Sequence, residues 1–249
     1  MFPDERRKYI VDVINKNGSV RVSDIAKSLS VTPETIRKDI TFLDSNGLVR
    51  KQFGGATAVV LAPEVTVQTR LAENVDAKAR IAAKAMEYIS GEILFLDAGS
   101  TLIALAKNIA SKSGHIILTN SFTSANELIE SPNTIMFLGG EVSSTTSATF
   151  GAWTTNMLNQ IQIDIAFLGT SGFMSQTGPC AKSFNDTDTK RAIVRCSAKR
   201  IVLADSSKFQ TRAISPYCDW RDIDVLITDT DAPIAAVNQL RKQVEVILV

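Results

Sequence analysis

Seven short, predominantly apolar runs punctuate the later part of this chain, at 93–96, 116–118, 135–138, 163–168, 201–203, 225–227 and 244–248, five of them unbroken and two interrupted by one acid each, Asp164 and Glu245. A strand with one wet face alternates apolar and polar side chains. A run that is apolar at every position is covered on both faces, the situation of parallel sheets whose crossover connections lay helices on either side. Each run is followed by a small polar or glycine turn and then a helical stretch, which is the α/β rhythm. From about residue 76 onward the chain therefore reads as a Rossmann-like, mostly parallel α/β domain. No internal repeat or low-complexity tract interrupts it, which excludes solenoids.

The first 57 residues have a different rhythm. Ile10, Val13 and Ile14 recur at helical spacing in a helix near 4–17 that Asn17-Gly18 stops. Val22, Ile25, Ala26 and Leu29 form a second amphipathic stripe, with Ser23 as its cap. Thr32 opens a third helix with Pro33 at its first position and Glu34 and Thr35 in its first turn. Ile36, Ile40 and Leu43 are its buried stripe, and Asn46-Gly47 ends it in a left-handed cap. Residues 48–56 then combine a β-prone piece, two cations and a glycine pair, which suits a hairpin wing. The expected organisation is a small helical domain at 1–57, a linker at 58–75 and the α/β domain at 76–249.

Charge separates these parts. The whole chain carries a net +1, but residues 1–57 hold 10 Lys+Arg against 7 Asp+Glu, leaving the remainder net negative. That asymmetry is a weak pointer to a polyanionic partner for the small domain. No stretch approaches the ~18 apolar residues of a membrane span, and the first residues lack a secretory apolar core, so the expected compartment is the cytoplasm. Cys180, Cys196 and Cys218 are odd in number with no CxxC pair, and read as free thiols. His115 is the sole histidine, so no metal cluster or catalytic triad can be built around it. Trp153 and Trp220 are expected as core or interface anchors, Trp153 on a helix at 148–158 that is a candidate for self-association.

Two sets of side chains remain once the apolar stripes are assigned. On the third helix, Thr32, Glu34, Thr35, Arg37 and Lys38 lie off the buried face. Short polar side chains and an arginine at the start of a helix suit a major groove, where they reach base edges and phosphates. Arg50, Lys51 and Gln52 on the wing suit backbone phosphates or the minor groove. The second set follows the strands. Asp97-Ala98-Gly99-Ser100-Thr101 is a turn in which glycine lets backbone approach an anion, two hydroxyls are offered, and a helix presents free N–H groups. Asn120 and Ser121, Gly139 and Gly140, Gly169 and Ser171, and Lys208 sit in turns after the other strands. In a parallel sheet all of these fall on the carboxyl edge, where ligands bind. Asp186, Asp188 and Lys190 open a helix, where the acids also answer the helix dipole.

Taken together, Arg6 with Ile10 and Ile14, residues 22–29, Thr32-Pro33-Glu34-Thr35-Ile36-Arg37-Lys38-Asp39-Ile40 and a wing ending Gly54-Gly55-Ala56 resemble the DNA-binding domain of the DeoR family of bacterial sugar-metabolism repressors. The resemblance continues through the motifs at 97–101, 119–121, 138–140, 190–191 and 205–209, and so covers nearly the whole chain. Lys38 stands where a second arginine is common and Phe53 where a histidine often precedes the glycines; neither change removes charge from the third helix. The resemblance implies a winged helix-turn-helix followed by a sensor related in fold to sugar-phosphate isomerases. It also implies a repressor of a carbohydrate operon, operator DNA as partner, a phosphorylated sugar or polyol as effector, and a homo-oligomer, dimer or tetramer. No cofactor is implied. Many members read Gly-Ala-Asp-Gly-Ile-Asp where this chain has Gly169-Thr170-Ser171-Gly172-Phe173-Met174. Leu168 and Ser171 offer no general base for an enediol step, which weighs against the alternative of an isomerase-like enzyme.

Overall fold

Proline at the first position and Asp4 and Glu5 in the first turn start α1 (Pro3–Asn17), whose Gly18 ends it in a left-handed conformation with its N–H on the carbonyl of Ile14. The computed structural model describes residues 2–45, 48–58, 65–173, 177–213 and 215–249. It divides into two compact units, Met1–Pro63 and Glu64–Val249. The expected cap at Asn46-Gly47 and the expected linker residues 59–64 lie outside the described residues, as does Met174.

In the first unit, α1 is followed by β1 (Ser19–Arg21), α2 (Val22–Ser28), α3 (Pro33–Ser45) and a hairpin of β2 (Val49–Gln52) and β3 (Gly55–Ala58). Ile10, Val11, Ile14, Ile25, Ile36, Ile40 and Leu43 are buried between the helices. Val11 rather than Val13 completes the buried α1 stripe. Ser23 is not a cap: α2 starts after Arg21 with no side-chain cap, and the Ser23 hydroxyl bonds Asp24 instead. The third strand of this small sheet has no apolar signature; β1 adds to β3 antiparallel, pairing Arg21 with Gly55. Gly55 is demanded there, since a Cβ on it would stand 2.1 Å from the Val20 carbonyl oxygen.

The second unit begins with α4 (Val67–Leu71) and α5 (Val75–Ala85), so part of the segment expected as linker is helix, capped by the Thr66 hydroxyl. Next come β4 (Ile93–Leu96), α6 (Ser100–Ile109), β5 (Ile116–Thr119), α7 (Phe122–Leu128) and β6 (Thr134–Phe137). A hairpin of β7 (Glu141–Ser143) and β8 (Ala148–Phe150) leads into α8 (Ala152–Leu158) and β9 (Ile163–Gly169). The helix expected over 148–158 is thus a strand followed by a shorter helix. The chain ends with β10 (Cys180–Ala181), α9 (Phe184–Cys196), β11 (Ser197–Leu203), β12 (Ser215–Pro216), β13 (Val225–Thr228), α10 (Ile234–Leu240) and β14 (Glu245–Leu248).

All seven apolar runs become strands of one sheet ordered β14-β13-β11-β9-β4-β5-β6, and every neighbouring pair is parallel. Phe95, Ala166, Leu168 and Val202 face one apolar layer, and Leu94, Leu96, Phe167, Ile201 and Leu203 the other. From β13 to β5 both faces are covered over most of each strand, which is why those runs do not alternate, whereas Thr134 and Met136 of the edge strand β6 are exposed. Chain direction of progress reverses between β9 and β4, so the carboxyl ends of these two central strands open a crevice. Trp220 is buried, but Trp153 is 78% exposed on α8 and anchors no core.

Candidate functional site

On the first unit, α3 divides its side chains by face. Glu34, Arg37 and Lys38 are exposed, and Glu34 and Arg37 pair at 3.2 Å. Thr32 accepts the Thr35 N–H at 3.2 Å and bonds its hydroxyl at 2.8 Å, so these two threonines set the start of the helix as well as bordering its outer face. Asp39 points inward, 2% exposed, where Arg6 meets it at 2.5 Å and Arg7 at 3.1 Å. Arg7 also lies over the Phe42 ring, 3.7 Å from its centroid. The wing is laced to the same helix: the Lys51 N–H donates to Asp44 and its ammonium to Thr41, both at 2.8 Å. Arg50 and Gln52 are exposed beside it. Phe53, at the two-residue turn with Gly54, is fully exposed at the wing tip.

The second unit gathers its polar residues at the crevice beyond β4 and β9. Gly99 precedes α6, and Ser100 and Thr101 form its first turn; all three line a cleft there. Gly169, Ser171, Asp186, Lys190 and Lys208 line it too. Beneath, Asp97 is completely buried. Its carboxylate accepts the Ala98 N–H at 2.8 Å and the Gly169 N–H at 2.9 Å and forms an ion pair with Lys190, which also reaches Asp186 at 3.5 Å. Burial by itself would lower the Lys190 pKa, but Asp186 and Asp97 outweigh it and hold the ammonium above its usual range. The Tyr217 phenol, pushed well above its ordinary value by burial, donates to the Gly169 carbonyl. Near Lys208, that ammonium, a hydrogen bond from Ser207 and Lys78 overcome burial to keep the Asp205 carboxyl below its usual value.

Several expected members stand elsewhere. Asp188 is exposed and pairs with Arg191. The Asn120 amide donates to the Thr149 carbonyl, and Ser121 caps α7 through the Ser124 N–H. The Gly139 carbonyl accepts from Thr154, and Gly140, at φ +155°, leaves no room for a Cβ, which would meet Thr154 Oγ1 at 2.2 Å. These four are taken up by β8, α7 and α8 and do not line the cleft, so not every strand-end turn expected at a ligand edge contributes to it. The β7–β8 hairpin contributes Thr146 and Phe150 in their place, and α4 contributes Arg70. The signal for Arg70 was present as Thr66 followed by Val67 and Leu71 at i,i+4, a capped helical turn inside the supposed linker. Thr146 carries no comparable mark.

Among the described residues no group of three His, Cys, Asp or Glu is placed to hold a metal, and no helix is long and apolar enough to cross a membrane. The cysteines are free, and burial pushes the Cys180 and Cys218 thiols up to about 12, far from nucleophilic. His115 bonds the Gly91 carbonyl, outside the cleft lining.

Comparison with known proteins gives the same division. Residues 6–60 match the DeoR-like helix-turn-helix domain, and residues 73–230 match the DeoR C terminal sensor domain. The HTH-type transcriptional regulator GolR of Listeria innocua is 30% identical over 92% of this chain and 91% of its own length. The putative aga operon transcriptional repressor of Escherichia coli O157:H7 is 30% identical over 98% of this chain and 93% of its own. The glycerol-3-phosphate regulon repressor of Escherichia coli K12 is 29% identical over 96% of each. Among solved structures, ribose 5-phosphate isomerase A from Methanocaldococcus jannaschii aligns over 55% of each chain at 16% identity with a TM-score of 0.40, too distant to bear on activity.

Proposed function

The chain belongs to the DeoR family of transcriptional regulators, and we propose that within it this protein is a repressor of a carbohydrate-utilisation operon, released from its operator by a phosphorylated sugar or polyol. The observation that carries the effector half is the cleft at the start of α6, where Gly99, Ser100 and Thr101 meet Lys208 and the Lys190 ion-pair network. Free N–H groups, hydroxyls and a positive dipole end favour a phosphate dianion. Two relatives, a putative aga operon repressor and a glycerol-3-phosphate regulon repressor, support the same class. The DNA half rests on the exposed Glu34, Arg37 and Lys38 with Thr32 and Thr35, and on Arg50, Lys51 and Gln52 as the wing's backbone contacts.

The protein acts as a homo-oligomer in the cytoplasm, since one such module makes few base contacts and joining two raises affinity and sets half-site spacing. The same reading takes it as a regulator without turnover, supported by the pairing of Lys190 with both Asp186 in the cleft and Asp97 beneath it, which favours holding an anion over abstracting a proton. A thermal-shift panel of sugar and polyol phosphates tests the reading. A true effector at 100 times its dissociation constant stabilises by about 2.7 kcal/mol, and Ser100→Ala or Thr101→Ala reduces that shift while leaving operator binding intact. Stabilisation by no phosphate in the panel, or turnover of ribose 5-phosphate, overturns it.

A further inference from the structure

Two buried polar atoms in the cleft wall lack any hydrogen-bond partner among the described residues: Nε of Arg70 and Oγ1 of Thr146. Buried donors are nearly always satisfied, and an exception in a cleft wall marks the place where a ligand supplies the missing partner. Neither residue belongs to the strand-end turns. Arg70 comes from α4 and Thr146 from the loop between β7 and β8, and the two segments are tied together because the Val67 N–H donates to the Thr145 carbonyl at 2.9 Å. Val67 is buried, and the ammonium of Lys78, itself 5% exposed, donates to the carbonyls of Arg70 and Glu73. The main chain of α4 is therefore held at both ends, while the guanidinium Nε it carries is left without an acceptor.

We propose that Arg70 binds the phosphate of the effector and that this contact fastens α4, with Thr146 taking a neighbouring oxygen of the same ligand. The proposal rests on the phosphate reading given above. A guanidinium presents donors in a planar fork matched to phosphate, unlike the point charge of Lys208, so it fixes the orientation of the anion as well as attracting it. A five-residue helix has almost no stability of its own and takes its order from what it touches. In the sequence α4 is the first described helix after the DNA-binding unit, so the ligand acts on the segment next to that unit through a side chain that belongs to it.

The test is hydrogen exchange on the full chain with inorganic phosphate as probe, alongside phosphate titration by thermal shift. In the unaltered protein, phosphate protects amides at 99–103 and also at 66–72. Arg70→Gln weakens phosphate by about tenfold or more, and at saturating phosphate it keeps protection at 99–103 while losing it at 66–72. Thr146→Val, which leaves the guanidinium in place, gives a smaller loss of affinity and retains protection at 66–72. Arg70→Lys, which keeps the charge without the fork, stands in if the glutamine variant does not fold, with affinity between the two. Protection at 99–103 but not at 66–72 in the unaltered protein, or equal phosphate affinity in the Arg70 variants, overturns the proposal and leaves the phosphate reading standing. Absence of protection at 99–103 overturns both.

Discussion

Asp39 and Asp97 are both buried carboxylates, at 2% and 0% exposure, and each meets cations carried by a helix of its own unit distant in sequence. Arg6 and Arg7 hold Asp39 from α1, on the face of α3 opposite Glu34, Arg37 and Lys38, so these pairs fasten the helix beneath its exposed face. Lys190 holds Asp97 from α9 and is at the same time a wall of the cleft, with Asp186 on its other side. Desolvation offsets much of what a buried ion pair gains, so neither network is explained by stability alone. The first fixes where a surface stands. The second fixes where a charge stands.

The sharpest way to break this contrast is to remove the acid in the first unit. Asp39→Asn takes the carboxylate from two arginines and should destabilise residues 1–63 by about 3–5 kcal/mol, read as loss of amide protection there with the second unit unchanged. Equal loss in both units would mean that the two do not fold separately. Nearly as large is the effect of Lys190→Met, which strands Asp97; adding Asp97→Asn should restore most of the lost stability, because replacing both partners is far cheaper than replacing one. Phosphate protection should not return in the double variant. If it does, the Asp97–Lys190 pair is a fastening like Asp39 and not part of the cleft.

A smaller effect is expected at the surface that Asp39 supports. Arg37→Gln should cost about 1–3 kcal/mol of operator affinity and lower the salt slope by about one if the side chain meets a phosphate, with folding stability unaltered. The smallest concerns Asp205. Its folded pKa lies below the unfolded value, so the stability it contributes is present above about pH 3.9 and is lost as pH falls through the folded pKa. Asp205→Asn should therefore make acid unfolding of the second unit less steep below that pH, leaving the first unit's acid profile in place.

Much of this architecture could be read from order alone. The strands announced themselves because burial on both faces of the central ones leaves runs that are apolar at nearly every position, and α3 because Thr32, Pro33 and Glu34 are a start signal that packing has no reason to override. What could not be read depends on partners distant in sequence. β1 is three residues of Ser-Val-Arg with no periodicity, and exists because Gly55 lets β3 come close. Residues 148–150 look helical beside α8 but are drawn into a strand by β7. Asp39 looks like one more surface charge until α1 is laid across it. In the cleft, the hydroxyls of Ser100 and Thr101 were legible because they sit at a helix start, whereas Asn120 and Gly140 carry the same turn chemistry and are consumed by the neighbouring hairpin. Residue type identifies what a turn can do; only the packing around it decides which turns share a cavity.

The proposed DNA-facing residues lie between 32 and 52, whereas the cleft needs Arg70 and Lys208 together, with β9 slotted between β4 and β11. A ribosome moves in one direction. At about 5–20 residues per second, with domains folding as units as they emerge, roughly eight to thirty seconds separate completion of the wing from arrival of the last cleft residue. During that interval each nascent copy carries the whole of its first unit but lacks part of the lining of its cleft.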